Sequence, residues 1–159
     1  MINLPNRAQS LIDHLGLQAH PEGGYYRETY RGAISETNGR SNSTMIYFLL
    51  TSADRSLLHR IDADEGWHHY EGDCIRIHII DQGTHRWIDL GRLDNGVSPQ
   101  ALVPADLWFG AEVLPGPHGF ALVGCTVAPG FEFSQFELAD RKHLLGDAPQ
   151  CREIIERLT

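Results

Sequence analysis

The chain has 159 residues, which is the length of one domain with a single sizeable core. Thirteen basic residues against twenty-one acidic ones give a formal net charge of -8, the wrong sign for holding nucleic-acid backbones, so we expect no nucleic-acid partner. Three cysteines without a Cys-x-x-Cys pair indicate neither a disulfide framework nor a structural zinc site. No stretch approaches the ~20 apolar residues that a membrane helix needs. The sequence therefore predicts one soluble, cytoplasmic domain over residues 1–159, with no membrane partner.

Short strands between two short helices are the predicted elements. Residues 7–15 carry apolar side chains at helical spacing, with Gly16 as a stop signal, and a glycine-rich turn follows at 20–24. From there the chain is rich in aromatic and β-branched residues. The predicted strands are 25–31, 44–51, 66–71, 74–80, 85–90, 101–104, 107–113, 119–127 and 131–138, and a closing helix is predicted over 149–158. Regularly spaced strands without intervening helices predict an all-β fold, an antiparallel sandwich or barrel with short N- and C-terminal helices.

The densest group of chemically capable side chains lies in residues 58–72. His59, Glu65, His68 and His69 fall within this short stretch, which otherwise has the composition of a strand. Imidazole and carboxylate groups together can bind a metal, relay a proton or hold a polar ligand. In a regular strand His69 shares the face of Glu65 and His68 points the other way, whereas a β-bulge would exchange the two. Which histidine faces the interior stays open.

The same stretch resembles the first sequence motif of the cupins, which are small β-barrels of jelly-roll type. His59, then Glu65, and then Gly72 carry this resemblance. Residues 102–110, with Pro104 in place, are similar to the second cupin motif. The resemblance implies a cupin-type double-stranded β-helix that is commonly a homodimer.

Three further segments narrow the resemblance to one small, poorly characterised cupin branch. They are the PEGGYYRETY sequence at 21–30, the DEGWH sequence at 64–68 and the VAPGFEF sequence at 127–133. Within the first segment, the strand also resembles one in the dTDP-sugar 3,5-epimerases, which are metal-free cupin-like enzymes. Gly23 stands where those enzymes have an arginine, so a phosphate contact expected from guanidinium is absent.

An isomerase or epimerase-like activity on a small polar, carbohydrate-related molecule is the leading predicted function, without a cofactor. Such an enzyme needs a base that removes a proton from the carbon next to a carbonyl group and an acid that returns a proton to the opposite face of that carbon. His59 with a carboxylate neighbour is the predicted base, and Tyr26 or another pocket hydroxyl the acid. The predicted catalytic residues are His59, Glu65, His68 and Tyr26. The predicted ligand-binding residues are Tyr47, Trp67, Trp108, Glu28 and Glu132.

Two alternatives from other classes remain open. A metal-dependent cupin, an isomerase or dioxygenase, would hold a divalent ion through His59, Glu65 and His69. The general cupin pattern offers two more histidines, at positions where this chain has Ile61 and Phe109. The third possibility is a module that binds a small molecule in the barrel and catalyses nothing.

Overall fold

Two antiparallel sheets form the body of the fold in a computed structural model that describes residues 6–159. The strands are β1 (Gln18–Ala19), β2 (Tyr25–Arg31), β3 (Thr44–Thr51), β4 (Arg55–Arg60), β5 (Asp64–Gly72), β6 (Ile75–Asp81), β7 (Thr84–Leu90), β8 (Gln100–Val103), β9 (Trp108–Val113), β10 (Phe120–Ala128) and β11 (Glu137–Leu138). The first sheet has the order β1-β2-β3-β10-β5-β8, and the second has the order β11-β4-β9-β6-β7. This architecture confirms the predicted mainly-β, antiparallel fold.

Three short helices within residues 6–159 cover the outer faces of the sheets. They are α1 (Asn6–Leu15), α2 (Arg141–Asp147) and α3 (Arg152–Arg157). The apolar face of α1 packs against the first sheet, and α2 and α3 pack against the second. None of the helices in this part of the chain is long and apolar enough to cross a membrane.

The elements differ from the sequence prediction in several places. The predicted strand at 131–138 contains instead a 3-10 turn, Phe133–Gln135, and the two-residue strand β11. Its aromatic side chains raised the apparent β-propensity, but they cover one end of the interior rather than pair in a long ladder. Helix α2, which was not predicted, is capped at its N-terminus by Asp140, whose carboxylate accepts a hydrogen bond from the His143 backbone N–H at 2.8 Å. Strand β4 also lies outside the predicted set.

The main core lies between the two sheets, where alternate side chains of the central strands point inward. Phe48, Trp67, Ile77 and Phe109 are among its fully buried members. Strand β10 pairs with both β3 and β5, so three strands deliver neighbouring side chains to the same interior region. One end of this interior is not filled by apolar side chains and forms a cavity.

Candidate functional site

The cavity has a volume of about 270 Å³ and opens at the end of the barrel where β2, β3, β4, β5 and β10 converge. This is below the roughly 300–1,000 Å³ of pockets that hold drug-sized ligands, so the space suits a smaller molecule. Its wall combines apolar rings with titratable groups. The groups that matter for chemistry are His20, Glu22, Tyr26, His59, Glu65 and Cys125.

Glu22 reaches this wall from the turn that precedes β2. Gly23 and Gly24 follow it with φ values of +108° and +73°, a region that side chains with a Cβ rarely adopt. A Cβ at Gly23 would overlap the backbone carbonyl oxygen of Arg55. The two glycines therefore let the turn lie directly against β4, where the Leu57 N–H donates to the Glu22 carbonyl at 2.8 Å. This close approach positions the Glu22 side chain inside the barrel.

The Glu22 carboxyl group is buried and has two close polar partners. The Ser56 hydroxyl donates to Oε1 at 2.8 Å, and Oε2 lies 3.1 Å from His59 Nε2. Burial raises the pKa of Glu22 to about 8, and the Ser56 hydrogen bond opposes this increase. At neutral pH the group is therefore mainly protonated.

The tautomer of His59 follows from its two contacts. Nδ1 lies 2.7 Å from the carbonyl oxygen of Leu57, which can only accept, so Nδ1 carries a hydrogen. Burial lowers the pKa of His59, with the nearby Glu65 carboxyl group opposing the change. In the neutral ring Nε2 is then an acceptor, and the proton between His59 and Glu22 is donated by the carboxyl group. The ring is fixed further by Phe109, with ring centroids 4.1 Å apart.

His20 is neutral for an independent geometric reason. Its Nδ1 accepts a hydrogen bond from the Glu22 backbone N–H at 3.2 Å, which a protonated Nδ1 could not do. Burial, together with the nearby His59, lowers the pKa of His20 to about 4. The ring packs edge-on against Tyr26 at 4.5 Å between centroids and stacks on Phe133 at 6.0 Å. His20 is therefore part of the aromatic wall.

Glu65 completes the group of buried carboxyls. It lies on β5 opposite Val127 of β10, in the inward phase shared with Trp67, and is 8% exposed. Burial raises the pKa of Glu65 to about 7, while the neighbouring His59 and the Cys125 thiol oppose the increase. The pKa of that thiol is itself raised well above its usual range by burial. Burial thus brings the pKa of the Glu65 carboxyl group close to neutral pH.

Arg31 stands at the mouth of the cavity, held by two carboxylates. Nε and Nη2 donate to the two oxygens of Glu28 at 2.9 Å each, and Nη1 donates to Glu132 at 2.8 Å. Nη2 also donates to the carbonyl oxygen of Phe131 at 3.0 Å. These bonds fix the segment with Phe131 and Phe133 across the opening.

Four of the predicted site residues line the cavity: His59, Glu65, Tyr26 and Glu28. Glu132 lies at the mouth of the cavity, where its carboxylate pairs with Arg31. The sequence interpretation placed Glu22 in a turn and gave it no role. The signal that could have found it is the double glycine, since two consecutive positive-φ residues indicate a turn pressed against another strand.

The other two histidines of the predicted site, His68 and His69, lie away from this cavity. His68 points outward from β5, where Gln100 donates toward its Nδ1 at 3.1 Å and Thr126 lies 3.3 Å from its Nε2. This placement differs from the predicted catalytic role, because the alternation of β5 puts His68 on the opposite face from Glu65. His69 has the inward phase, since the bulge of β5 falls after it. However, four residues of strand separate it from Glu65 by about 13 Å, and its Nε2 lies 3.0 Å from the Asp73 carbonyl oxygen.

Three predicted ligand-binding aromatics are also elsewhere. Tyr47 packs on the outer face of the first sheet, near Tyr70. Trp108 lies outside the second sheet beneath the guanidinium of Arg60. Trp67 is inside the barrel but is buried in the packed core, 1% exposed. The period-2 pattern of a strand assigns a face only after the register is known, which explains these differences.

The residues do not fit the predicted metal centre. Within residues 6–159 no three His, Cys, Asp or Glu side chains are arranged as ligands of one ion. Ile61 and Phe109, at two positions that hold histidines in the general cupin pattern, are buried core residues here. His69, the proposed substitute, is bound at the other end of β5. We therefore derive no chemistry through a metal.

Comparison with known proteins agrees with this architecture. A protein from Shewanella oneidensis is 38% identical, with a TM-score of 0.88 and 96% of each chain covered. A hypothetical protein from Leishmania major is 34% identical, with a TM-score of 0.89 and 96% of this chain and 98% of that chain covered. Oxalate decarboxylase from Bacillus subtilis shares the fold alone, at 17% identity and a TM-score of 0.58, over 89% of this chain and 36% of that chain.

A curated relative and a family model extend the comparison. An uncharacterized protein from Saccharomyces cerevisiae is 29% identical over 89% of this chain and 82% of the yeast protein. The family model described as cupin superfamily (DUF985) matches residues 9–139. With the two antiparallel sheets and the interior cavity, this match establishes that the chain belongs to the cupin superfamily, in the DUF985 family.

Proposed function

We propose that this cupin is a metal-independent isomerase or epimerase-like enzyme that moves a proton next to a carbonyl group of a small, carbohydrate-related molecule. The observation that carries the proposal is the buried carboxyl group of Glu65 beside the hydrogen-bonded pair of Glu22 and His59. A general base works best when its pKa lies near the operating pH, and burial raises the pKa of Glu65 to about 7. The barrel walls shield this group from most of the solvent, since Glu65 is 8% exposed.

In the proposed reaction Glu65 is the base. Its carboxylate takes the proton from the carbon beside the carbonyl, the C–H electron pair forms the enolate double bond, and the carbonyl π pair moves onto oxygen. The Tyr26 hydroxyl, which lines the same cavity, is the proposed proton donor to the opposite face. Protonation of the carbon on that face gives the epimer. The Tyr26 phenolate then recovers a proton from solvent and the Glu65 carboxyl group releases the substrate proton to solvent, which restores both groups.

His59 has a different role from the one its sequence motif indicated. Its Nδ1 is bound to the Leu57 carbonyl and its Nε2 to the Glu22 carboxyl group, so neither nitrogen is free to take a substrate proton. We assign His59 and Glu22 as positioning residues that keep the buried wall uncharged around Glu65. The base assignment therefore moves from His59 to Glu65.

Deuterium exchange tests the chemistry without knowledge of the product. The protein is incubated in D₂O with D-glucose, D-mannose, D-fructose and L-rhamnose, and deuterium at carbons beside the carbonyl is measured by NMR. We expect exchange in at least one sugar, lowered by about 100-fold or more in Glu65→Gln, the order that a general base contributes. Glu156→Gln, an exposed carboxyl group paired with Arg152, is the matched control and keeps the wild-type rate. Equal rates in Glu65→Gln and wild type would remove Glu65 from the mechanism.

A further inference from the structure

Arg31 is the one arginine or lysine side chain lining the cavity within residues 6–159, and four of its five N–H donors are bound to the protein. Four hydrogen bonds occupy all three guanidinium nitrogens, two to Glu28, one to Glu132 and one to the Phe131 carbonyl. Guanidinium is the side chain best shaped to hold a phosphate or carboxylate through two parallel bonds. That bidentate face is already filled by Glu28.

The other basic groups of the cavity wall, His20 and His59, are neutral and provide no positive charge for an anion. His20 accepts a backbone hydrogen bond at Nδ1, and His59 accepts the Glu22 proton at Nε2. The acidic groups outnumber the single cation, since Glu28 and Glu132 flank Arg31 and Glu65 lies deeper in the cavity. An anion entering this space would lose its hydration shell next to carboxyl groups without gaining a counter-charge, which is unfavourable.

The rest of the lining suits an uncharged polar molecule. Tyr26, Phe131 and Phe133 give flat apolar surfaces against which the C–H face of a sugar ring can pack. Gln18, Thr44 and the carboxyl groups offer donors and acceptors for hydroxyl groups. The volume of about 270 Å³ equals the space of about nine water molecules, which is of the order of a monosaccharide.

We propose that the site selects an uncharged, polyhydroxylated carbonyl compound of monosaccharide size and excludes its phosphorylated or carboxylated forms, because Glu28 and Glu132 neutralise Arg31 and Glu28 occupies its bidentate face. The carbonyl part rests on the proposed function, and the charge selectivity rests on the ion-pair geometry alone. The selectivity would separate this chain from enzymes that act on nucleotide-linked sugars, in agreement with the glycine at position 23.

The test releases Arg31 and asks whether the site then accepts anions. Calorimetric titrations with inorganic phosphate, D-fructose and D-fructose 6-phosphate are compared for wild type, Glu28→Gln/Glu132→Gln and the same variant with Arg31→Met added. We expect wild type to bind D-fructose 6-phosphate no more tightly than D-fructose and to bind inorganic phosphate only weakly. The double variant should gain about tenfold or more in phosphate affinity, the order of one charge-assisted hydrogen bond. The added Arg31→Met should abolish that gain.

Each outcome decides the proposal. Wild-type preference for the phosphorylated sugar, or a double variant whose phosphate affinity stays at the wild-type level, would overturn it. If the double variant fails to fold, Glu132→Gln carries the same test, since the Glu132 side chain is 41% exposed and its loss frees Nη1 alone. If D-fructose binds and the phosphate gain is seen but no sugar exchanges deuterium, the selectivity stands and the proposed isomerase chemistry fails. If wild type prefers a sugar phosphate and exchanges deuterium into it, the proposed isomerase chemistry stands and the proposed selectivity fails.

Discussion

Replacement of Glu22 by glutamine should stabilise the protein at high pH while leaving it nearly unchanged at low pH. The glutamine amide is an isostere of the protonated carboxyl group. Its oxygen can accept from Ser56 and its NH₂ can donate to His59 Nε2, so both buried contacts are kept. Unlike the carboxyl group, the amide has no proton to release as the pH rises.

The size of the effect follows from the pKa of Glu22, which is 4.5 ordinarily and about 8 in the folded chain. Between these values the folded chain holds a proton that the unfolded chain has released, so the stability of the wild type falls as the pH rises through this window. For one site with these pKa values, the loss in free energy of unfolding between pH 5 and pH 8 is roughly 3 kcal/mol.

Urea denaturation at several pH values between 5 and 8, followed by tryptophan fluorescence, measures the difference. Glu22→Gln should lie within about 1 kcal/mol of wild type at pH 5, as expected where a buried hydrogen bond is retained, and exceed it at pH 8. Glu156→Gln is the control, since its exposed carboxyl group should leave the pH dependence unchanged. A Glu22→Gln protein that loses more stability at pH 8 than at pH 5 would show that the carboxylate is the native form. That result would refute the proton assignment.

Three further predictions follow from the same residues. Ser56→Ala should lower the free energy of unfolding by about 1–3 kcal/mol, because it leaves Oε1 of buried Glu22 without its donor, and should raise the pKa of Glu22. Denaturation measures the first effect and carboxyl ¹³C NMR the second, and an unchanged pKa would count against the contact. Gly23→Ala should cost about 3 kcal/mol or more in unfolding free energy by denaturation, since the new methyl group meets the Arg55 carbonyl at a positive φ; wild-type stability would contradict the close approach of the turn. Elemental analysis of protein purified without chelator or histidine tag should find far less than one metal ion per chain, and a near-stoichiometric metal lost in His59→Ala would overturn the metal-independent proposal.

The fold was predictable from the sequence because its signals are local. Alternation along β6 and the aromatic and β-branched composition of β3 and β10 predict strands, and turn residues between them predict antiparallel pairing. The segment at 131–138 misled the prediction, because aromatic residues favour strands and also cover cavities. Composition alone does not separate the two.

The candidate site was predictable only in part, because most of it depends on contacts distant in sequence. His59 and Glu65 could be found from their motif and from the inward phase of β5. Glu22 could not be paired with His59, since their contact depends on how closely a turn approaches a strand 37 residues further along. The same limit applies to Arg31, whose ion pair with Glu132 joins residues 101 positions apart.

The charge balance of the cavity connects the proposed chemistry with the proposed selectivity. Near neutral pH Glu22 is protonated, His20 and His59 are neutral, and Glu65 carries at most one negative charge inside the barrel. When Glu65 takes a proton from an uncharged substrate, that charge passes to the enolate, so the buried space holds one negative charge before and after the step. A phosphorylated substrate would bring further negative charge into the same low-dielectric space and would raise the cost of both binding and enolate formation. The buried, uncharged wall raises the pKa of Glu65 to near neutral pH, and the same wall therefore requires an uncharged substrate.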